Sequence, residues 1–271
     1  MAENGNVLVT RVIVSCDASP LGATAIDAAA ALARRLDAEL KGIFVEDINL
    51  IRMAALPFTQ EVASSTALAR RLHAGELQRS LEQQAQSVRD VLQAAASALR
   101  LQWSFQVVRG APLSSVLDAM RGLDLAVFGH AGRFAATPAA AVPAAAPVAA
   151  RGPVMIVFDG TPAAQRALDV AAALAHDTHG ELVIALINAA GDATSLRAQA
   201  LQRLERRTKP VTPPAHASFL TLKHRDAGTV GRAAETYLPG VLLWGGMAGD
   251  ADRATLATLV DALKCPVVLV A

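Results

Sequence analysis

The sequence predicts an α/β fold made of two tandem, doubly wound parallel-sheet domains, residues 1–150 and 151–271, and three observations carry that prediction. Apolar runs of strand length alternate with segments of helical period along the chain. A strand–turn–helix–strand unit is written twice, as "VIVSCDASPLGATAIDAAAALARRLDAELKGIFV" and "MIVFDGTPAAQRALDVAAALAHDTHGELVIALI". Asp17 matches Asp159, Pro20 matches Pro162, Asp27 matches Asp169 and Leu32 matches Leu174, all at one offset, 159 − 17 = 142. A second block closes each half: "LDLAVFGHAG" ends at Gly132 and "GVLLWGGMAG" at Gly249, an offset of 249 − 132 = 117.

The first strand ends at the turn Asp17-Ala-Ser-Pro20, where Ser19 is placed to cap a helix and Pro20 to open it. Leu21, Ala25, Ala28, Ala29, Leu32 and Leu36 then recur on one helical face, and "GIFVED" closes the next strand. From there to the closing block the first half is longer by 142 − 117 = 25 residues. The surplus contains the apolar Leu50, Ile51, Met53, Leu56 and Phe58 and a long amphipathic pattern, Leu77, Leu81, Ala85, Val88, Leu92, Ala95, Leu99. It reads as a helical excursion covering the sheet, or as a lid over a partner or ligand. Trp103 and Trp244 fall in strand-like runs and are expected to pack in the core or at an edge.

After Gly132 the pattern breaks. Pro138 can start a helix, but Pro143 and Pro147 interrupt it, and "PVAARG" is poor in β-branched residues. Residues 134–152 therefore read as a connector, and the first domain as lacking a convincing last helix and fifth strand. The second half is complete, with a helix pattern from Ala251 to Leu263 and a last strand, "CPVVLVA". The apolar Pro266–Val270 strand, left as an open edge, is expected to pair with its copy in a homodimer, or with "PVAAR" in an intramolecular pseudo-dimer.

A net charge of +1 gives no basis for a nucleic-acid partner or an acidic membrane surface. Cys16 and Cys265, far apart in sequence, point to a reducing compartment rather than a disulfide scaffold, and the six histidines show no metal-ligand spacing. Met1 to Thr10 has no signal-like pattern, and the Phe134–Ala150 span, with its three prolines, is no membrane helix. A cytoplasmic protein without membrane attachment is expected. In doubly wound sheets ligands lie beyond the carboxyl ends of the strands, which is where Asp17 and Asp159 and the two glycine turns fall.

The Asp-x-[Ser/Thr]-Pro turn, the "GIFVED" strand end, the Gly-x-x-Gly turn after the fourth strand and the terminal "KCPVVLVA" together resemble a tandem universal stress protein. The resemblance implies an adenine nucleotide alpha-hydrolase-like, Rossmann-like fold. It also implies candidate nucleotide contacts: Asp17, the Val45 backbone, Gly129, His130 and Gly132 in the first half, and Asp159, Ile187, Gly246 and Gly249 in the second. Nucleotide-binding members wrap the phosphates in Gly-x2-Gly-x9-Gly-[Ser/Thr]. Here the second part is missing, because Val142-Pro143 and Leu259-Val260 stand where Gly-Ser belongs. Val and Leu bring side chains where backbone must approach, and Pro143 has no N–H to donate. Asp250 and Asp252 oppose a triphosphate besides.

The glycine turns then either shape a tight strand-to-helix turn or retain a nucleotide contact. Asp17 and Asp159 either contact a ligand or stabilise their own turn. The resemblance implies a non-enzymatic, partner-binding stress or regulatory protein with degenerate nucleotide sites, no catalytic residues, no metal and no required cofactor. The alternative it leaves open is an ATP- or AMP-binding stress regulator using one retained crevice.

Overall fold

The structure is a computed structural model that describes residues 9–17, 20–56, 60–62, 69–71, 74–120, 124–129, 152–177, 180–188, 191–207, 216–247 and 249–271. The first half runs β1 (Arg11–Cys16), α1 (Pro20–Leu36), β2 (Glu39–Asp47), α2 (Ile48–Ala54), β3 (Gln60–Val62), β4 (Ala69–Arg71), α3 (Ala74–Ala98), β5 (Trp103–Gly110), α4 (Pro112–Ala119) and β6 (Leu125–Phe128). The second runs β7 (Val154–Phe158), α5 (Pro162–Asp177), β8 (Glu181–Ile187), α6 (Ala193–Arg207), β9 (His216–Leu222), α7 (Ala227–Tyr237), β10 (Val241–Gly245), α8 (Asp250–Ala262) and β11 (Val267–Val270).

Among the described residues, nine strands form one sheet in the order β5-β2-β1-β6-β11-β10-β7-β8-β9, and β3 pairs with β4 in a separate ribbon. Within the nine-stranded sheet the pairings inside each half are all parallel, whereas the β3–β4 ribbon is antiparallel. Strands alternate their side chains between two faces, and both faces are covered, which is why β6, β7, β10 and β11 are apolar at every position. Val12 and Val14 join the core under α1, α3, α5 and α6, whereas Ile13 joins the core under α4, α7 and α8. The α/β, doubly wound fold expected from the alternation is therefore the observed one. In α3, Leu81, Ala85, Val88 and Leu92 of the amphipathic pattern are buried, while Met53 and Leu56 after β2 are exposed. Trp103 lies on the edge strand β5, and Trp244 is fully buried. Phe58 and the connector residues 134–151 lie outside the described residues.

One expectation is overturned. The last strand is not an open edge: β11 pairs parallel with β10 on one side and antiparallel with β6 on the other, Val268 facing Leu243 and Val127. The strand-edge argument for a homodimer therefore loses its premise. Intramolecular closure does occur, but through β6 rather than "PVAAR", whose residues fall outside those described. The physical reason is register: the pairing brings Val268 beside Val127 on one face and Leu269 beside Ala126 on the other, so both cores continue across the seam. Antiparallel pairing at this seam also reverses direction, so the strands of the two halves end at opposite ends of the sheet.

Two polar groups are tied into the layers. Asp124, fully buried at the start of β6, accepts from Thr10 and from Arg11 at the start of β1, and this hydrogen bond holds the Arg11 guanidinium above its ordinary pKa. Asp169 on α5 is 1% exposed and takes a two-pronged contact from Arg203 on α6, Nε to Oδ1 at 3.1 Å and Nη2 to Oδ2 at 2.8 Å.

Its counterpart in the first half, Asp27, is half-buried on α1, and burial pushes its carboxyl above the ordinary 3.8. The native state holds that proton more tightly than the unfolded chain does. The contribution to stability is then full below the unfolded value and lost as pH rises through the folded one. Asp27→Asn is expected to raise the melting temperature at pH 7, with the gain vanishing below pH ~3.8. Thermal melts of both proteins across that range check it, and an equal gain at every pH contradicts the assignment.

Candidate functional site

Register brings the candidate residues together at the strand ends. In the first half Cys16 faces Phe44, and Ser15 faces Phe128, so Asp17, Val45 and Gly129, each just beyond those pairs, adjoin one another. In the second, Phe158 faces Leu186 and Val157 faces Trp244, which brings Asp159, Ile187 and the Gly245-Gly246 turn to the opposite end of the sheet. His130 and Gly132 lie outside the described residues.

In the second half the residues at the strand ends contact one another. Asp159 follows β7, and its Oδ1 accepts from the Thr161 N–H at 3.0 Å and the Thr161 hydroxyl at 2.6 Å. The same hydroxyl accepts the Ala164 N–H at 3.2 Å, so Thr161 caps α5 and Pro162 opens it. Oδ2 accepts from Arg225 Nη1 at 2.8 Å. Arg225 Nη2 donates to the carbonyl oxygens of Gly245 at 2.6 Å and Gly246 at 3.2 Å. The guanidinium carbon lies 4.3 Å from the Trp244 ring centroid, a cation–π distance. Asp252, in the first turn of α8, is 3.9 Å from Nη1.

Arg225 is delivered by the link between β9 and α7. The next residue, Asp226, caps α7 by accepting from the Thr229 N–H and hydroxyl, and these bonds hold its carboxyl below the usual range. Sequence reasoning missed Arg225. The available signal was a cation directly before a capping Asp-x-x-Thr at a strand end.

The glycines of this turn have separate reasons. A Cβ on Gly245 would sit 2.5 Å from the Ala164 Cα, so only glycine lets α5 begin against β10. Gly246 has φ +67, and a Cβ there would meet Ala163 at 2.8 Å. Gly245 is required by packing against α5, and Gly246 by its left-handed backbone as well as by that packing. Gly249 is extended, precedes α8 without a side-chain cap, and has open space around it. Ile187 is buried, and the Asn188 N–H beside it donates to the Leu222 carbonyl at 2.8 Å.

The first crevice differs. Asp17 lies against Gly22 of α1, where an added Cβ would collide with its carboxylate. Val45 packs partly into the core, and Gly129 is buried at the end of β6. Glu46, 5% exposed, pairs with Arg109 of β5 at 2.7 Å. The link from β5 to α4 is the single residue Ala111, so no counterpart of Arg225 is delivered here. Burial raises the Cys16 thiol far above its ordinary pKa and pushes Cys265 up to about 11, so both are protonated thiols at neutral pH.

No family model and no curated protein matches the sequence. Among solved structures, the chain is similar to a universal stress protein from Archaeoglobus fulgidus DSM 4304, with 13% identity and a TM-score of 0.53 over 97% of this chain and 96% of that one. A putative universal stress protein from Pseudomonas aeruginosa UCBPP-PA14 matches with 11% identity and a TM-score of 0.43, over 98% of this chain and 94% of that one. A universal stress protein in complex with cAMP matches with 20% identity and a TM-score of 0.37, over 44% of this chain and 94% of that one. The last two are too distant in geometry to carry an argument. The first spans nearly the whole of both chains and agrees with a sheet ordered 3-2-1-4 in one half and 3-2-1-4-5 in the other: this chain has the universal stress protein fold.

Proposed function

We propose that the chain is a non-enzymatic, cytoplasmic member of the universal stress protein family, with two domains, 1–150 and 151–271, and degenerate nucleotide sites. It works by presenting its surface to a protein partner and requires no cofactor. One observation carries this reading. In the second crevice the Asp159 carboxylate is engaged on both oxygens, by Thr161 and by Arg225, and the Arg225 guanidinium occupies the carbonyls of the glycine turn. A nucleotide that is to use the Asp159 carboxylate has to displace this ion pair first. The missing Gly-[Ser/Thr] at 259–260 and the carboxylates of Asp250 and Asp252 point the same way.

A second reading, an adenine nucleotide such as ATP or AMP held by Asp17, Val45, Gly129, His130 and Gly132, is favoured by the absence of an Arg225 counterpart in the β5–α4 link. Titration of Mg-ATP into the purified chain by calorimetry separates the two. Weak or no heat is expected. A dissociation constant in the low micromolar range, about −8 kcal/mol, contradicts the degenerate-site reading, and loss of that binding on Asp17→Ala or Asp159→Ala assigns the crevice.

A further inference from the structure

The Arg225 contacts form a recognition site in their own right. A carboxylate oxygen, two backbone carbonyl oxygens and an indole face are arranged around one planar cation, each of a type that guanidinium uses and phosphate does not. The seat is well enclosed: the side chains of Arg225 and Asp159 are 18% and 17% exposed, and Trp244 is fully buried beneath. Arg225 Nε is buried with no hydrogen-bond partner among the described residues, where the cation is held by its Nη1 and Nη2 ends and its flat face. The residues of the seat come from β7, β10 and α8, whereas its occupant comes from the link between β9 and α7.

From this we infer that the end of the second half is a guanidinium-binding site, filled in cis by Arg225, which latches the β9–α7 link over the strand ends and closes the crevice. The inference rests on the reading of this crevice as closed, and it adds the ligand chemistry. A lysine cannot replace the occupant, because a point cation on a flexible stem meets the carboxylate but neither spans both carbonyls nor lies flat on the indole. Emptying the seat while leaving its walls intact creates a site for a small guanidinium supplied from solution.

The test uses the full chain, its Arg225→Ala variant and low millimolar methylguanidinium as the probe. Arg225→Ala is expected to melt roughly 5 °C lower, with methylguanidinium restoring part of the loss. The unmodified chain, whose seat is filled, should show no such stabilisation, nor should the Arg225→Ala/Asp159→Asn double variant. Methylammonium should have no effect on any of them, and Arg225→Lys should remain close to Arg225→Ala.

Absence of rescue, equal rescue by methylammonium, equal stabilisation of the unmodified chain, or wild-type stability in Arg225→Lys each overturns the seat. Should Arg225→Ala fail to fold, nitrogen-15 spectra of the unmodified chain decide. A seated guanidinium shows separate, slowly exchanging Nη signals for Arg225, and a single averaged signal overturns the proposal. Micromolar Mg-ATP binding abolished by Asp159→Ala removes instead the closed-crevice reading on which it rests, so the two failures are distinct.

Discussion

Val268→Pro is expected to destabilise the whole chain by about 3 kcal/mol or more and to lower its melting temperature by about 10 °C. Val268 is fully buried at the centre of β11, with Leu243 of β10 on one side and Val127 of β6 on the other. Proline removes an N–H donor from a strand paired along both edges and sets its ring where a neighbouring strand lies. Because β11 is the strand through which the two halves share one sheet, the damage reaches both, and circular dichroism at a β-sheet and a helix wavelength should fall together. A variant that melts like the unmodified chain and changes only its oligomeric state shows instead that β11 is an edge strand joining separate molecules.

Arg203→Met is expected to cost about 3–5 kcal/mol, read as a lowered urea midpoint at unchanged slope. The Asp169 carboxylate is 1% exposed between α5 and α6, and the variant removes the guanidinium that reaches both its oxygens. The same hydrogen bond holds the Arg203 guanidinium above its ordinary pKa, which is the reciprocal sign of a favourable pair in a partly dry site. Replacing both partners, Asp169→Leu with Arg203→Met, should recover most of the loss, since an apolar pair of similar volume has no charge to desolvate. If the single and double variants have equal stability, the pair is not what holds α6 to α5.

Asp27 shows why this site was only half legible. The sequence aligns Asp27 with Asp169 at the same step of a repeated helix, which suggests one role for both. In the folded chain α1 packs against α3 and α5 against α6, and among the described residues only α6 supplies an arginine opposite the carboxylate. A repeat in sequence copies the local helix faithfully. It does not copy the neighbour, because the surplus residues of the first half put a 25-residue helix, α3, where the second half has the 15-residue α6.

Arg225 is the larger omission, and the reason is similar. Its partners Asp159, Gly245 and Asp252 are spread over three elements, and the contact with Asp159 spans 66 residues. Nothing in the period of "TLKHRDAGTV" marks the arginine as part of the crevice rather than a solvated turn residue. The turn itself was legible in the sequence, and Gly246 has the positive φ that a tight turn requires. The contribution of Gly245, which clears the first turn of α5, became visible only once that helix was seen against β10.

The sequence by itself determined the alternation of strands and helices, the two-sided burial of the strands, the duplication, and the openings of α1 and α5 at Pro20 and Pro162. Each of these is written within one or two turns of chain, in apolar period and backbone restriction, and survives any rearrangement of the rest. The tertiary structure alone decided that β11 lies antiparallel beside β6 and that Arg225 reaches Asp159 and the carbonyls of Gly245 and Gly246. An apolar four-residue strand accepts any apolar edge that continues its two faces, and a carboxylate accepts any arginine within reach. Which edge and which arginine arrive depends on where the crossover helices set the strands down, a long-range outcome that no local pattern records.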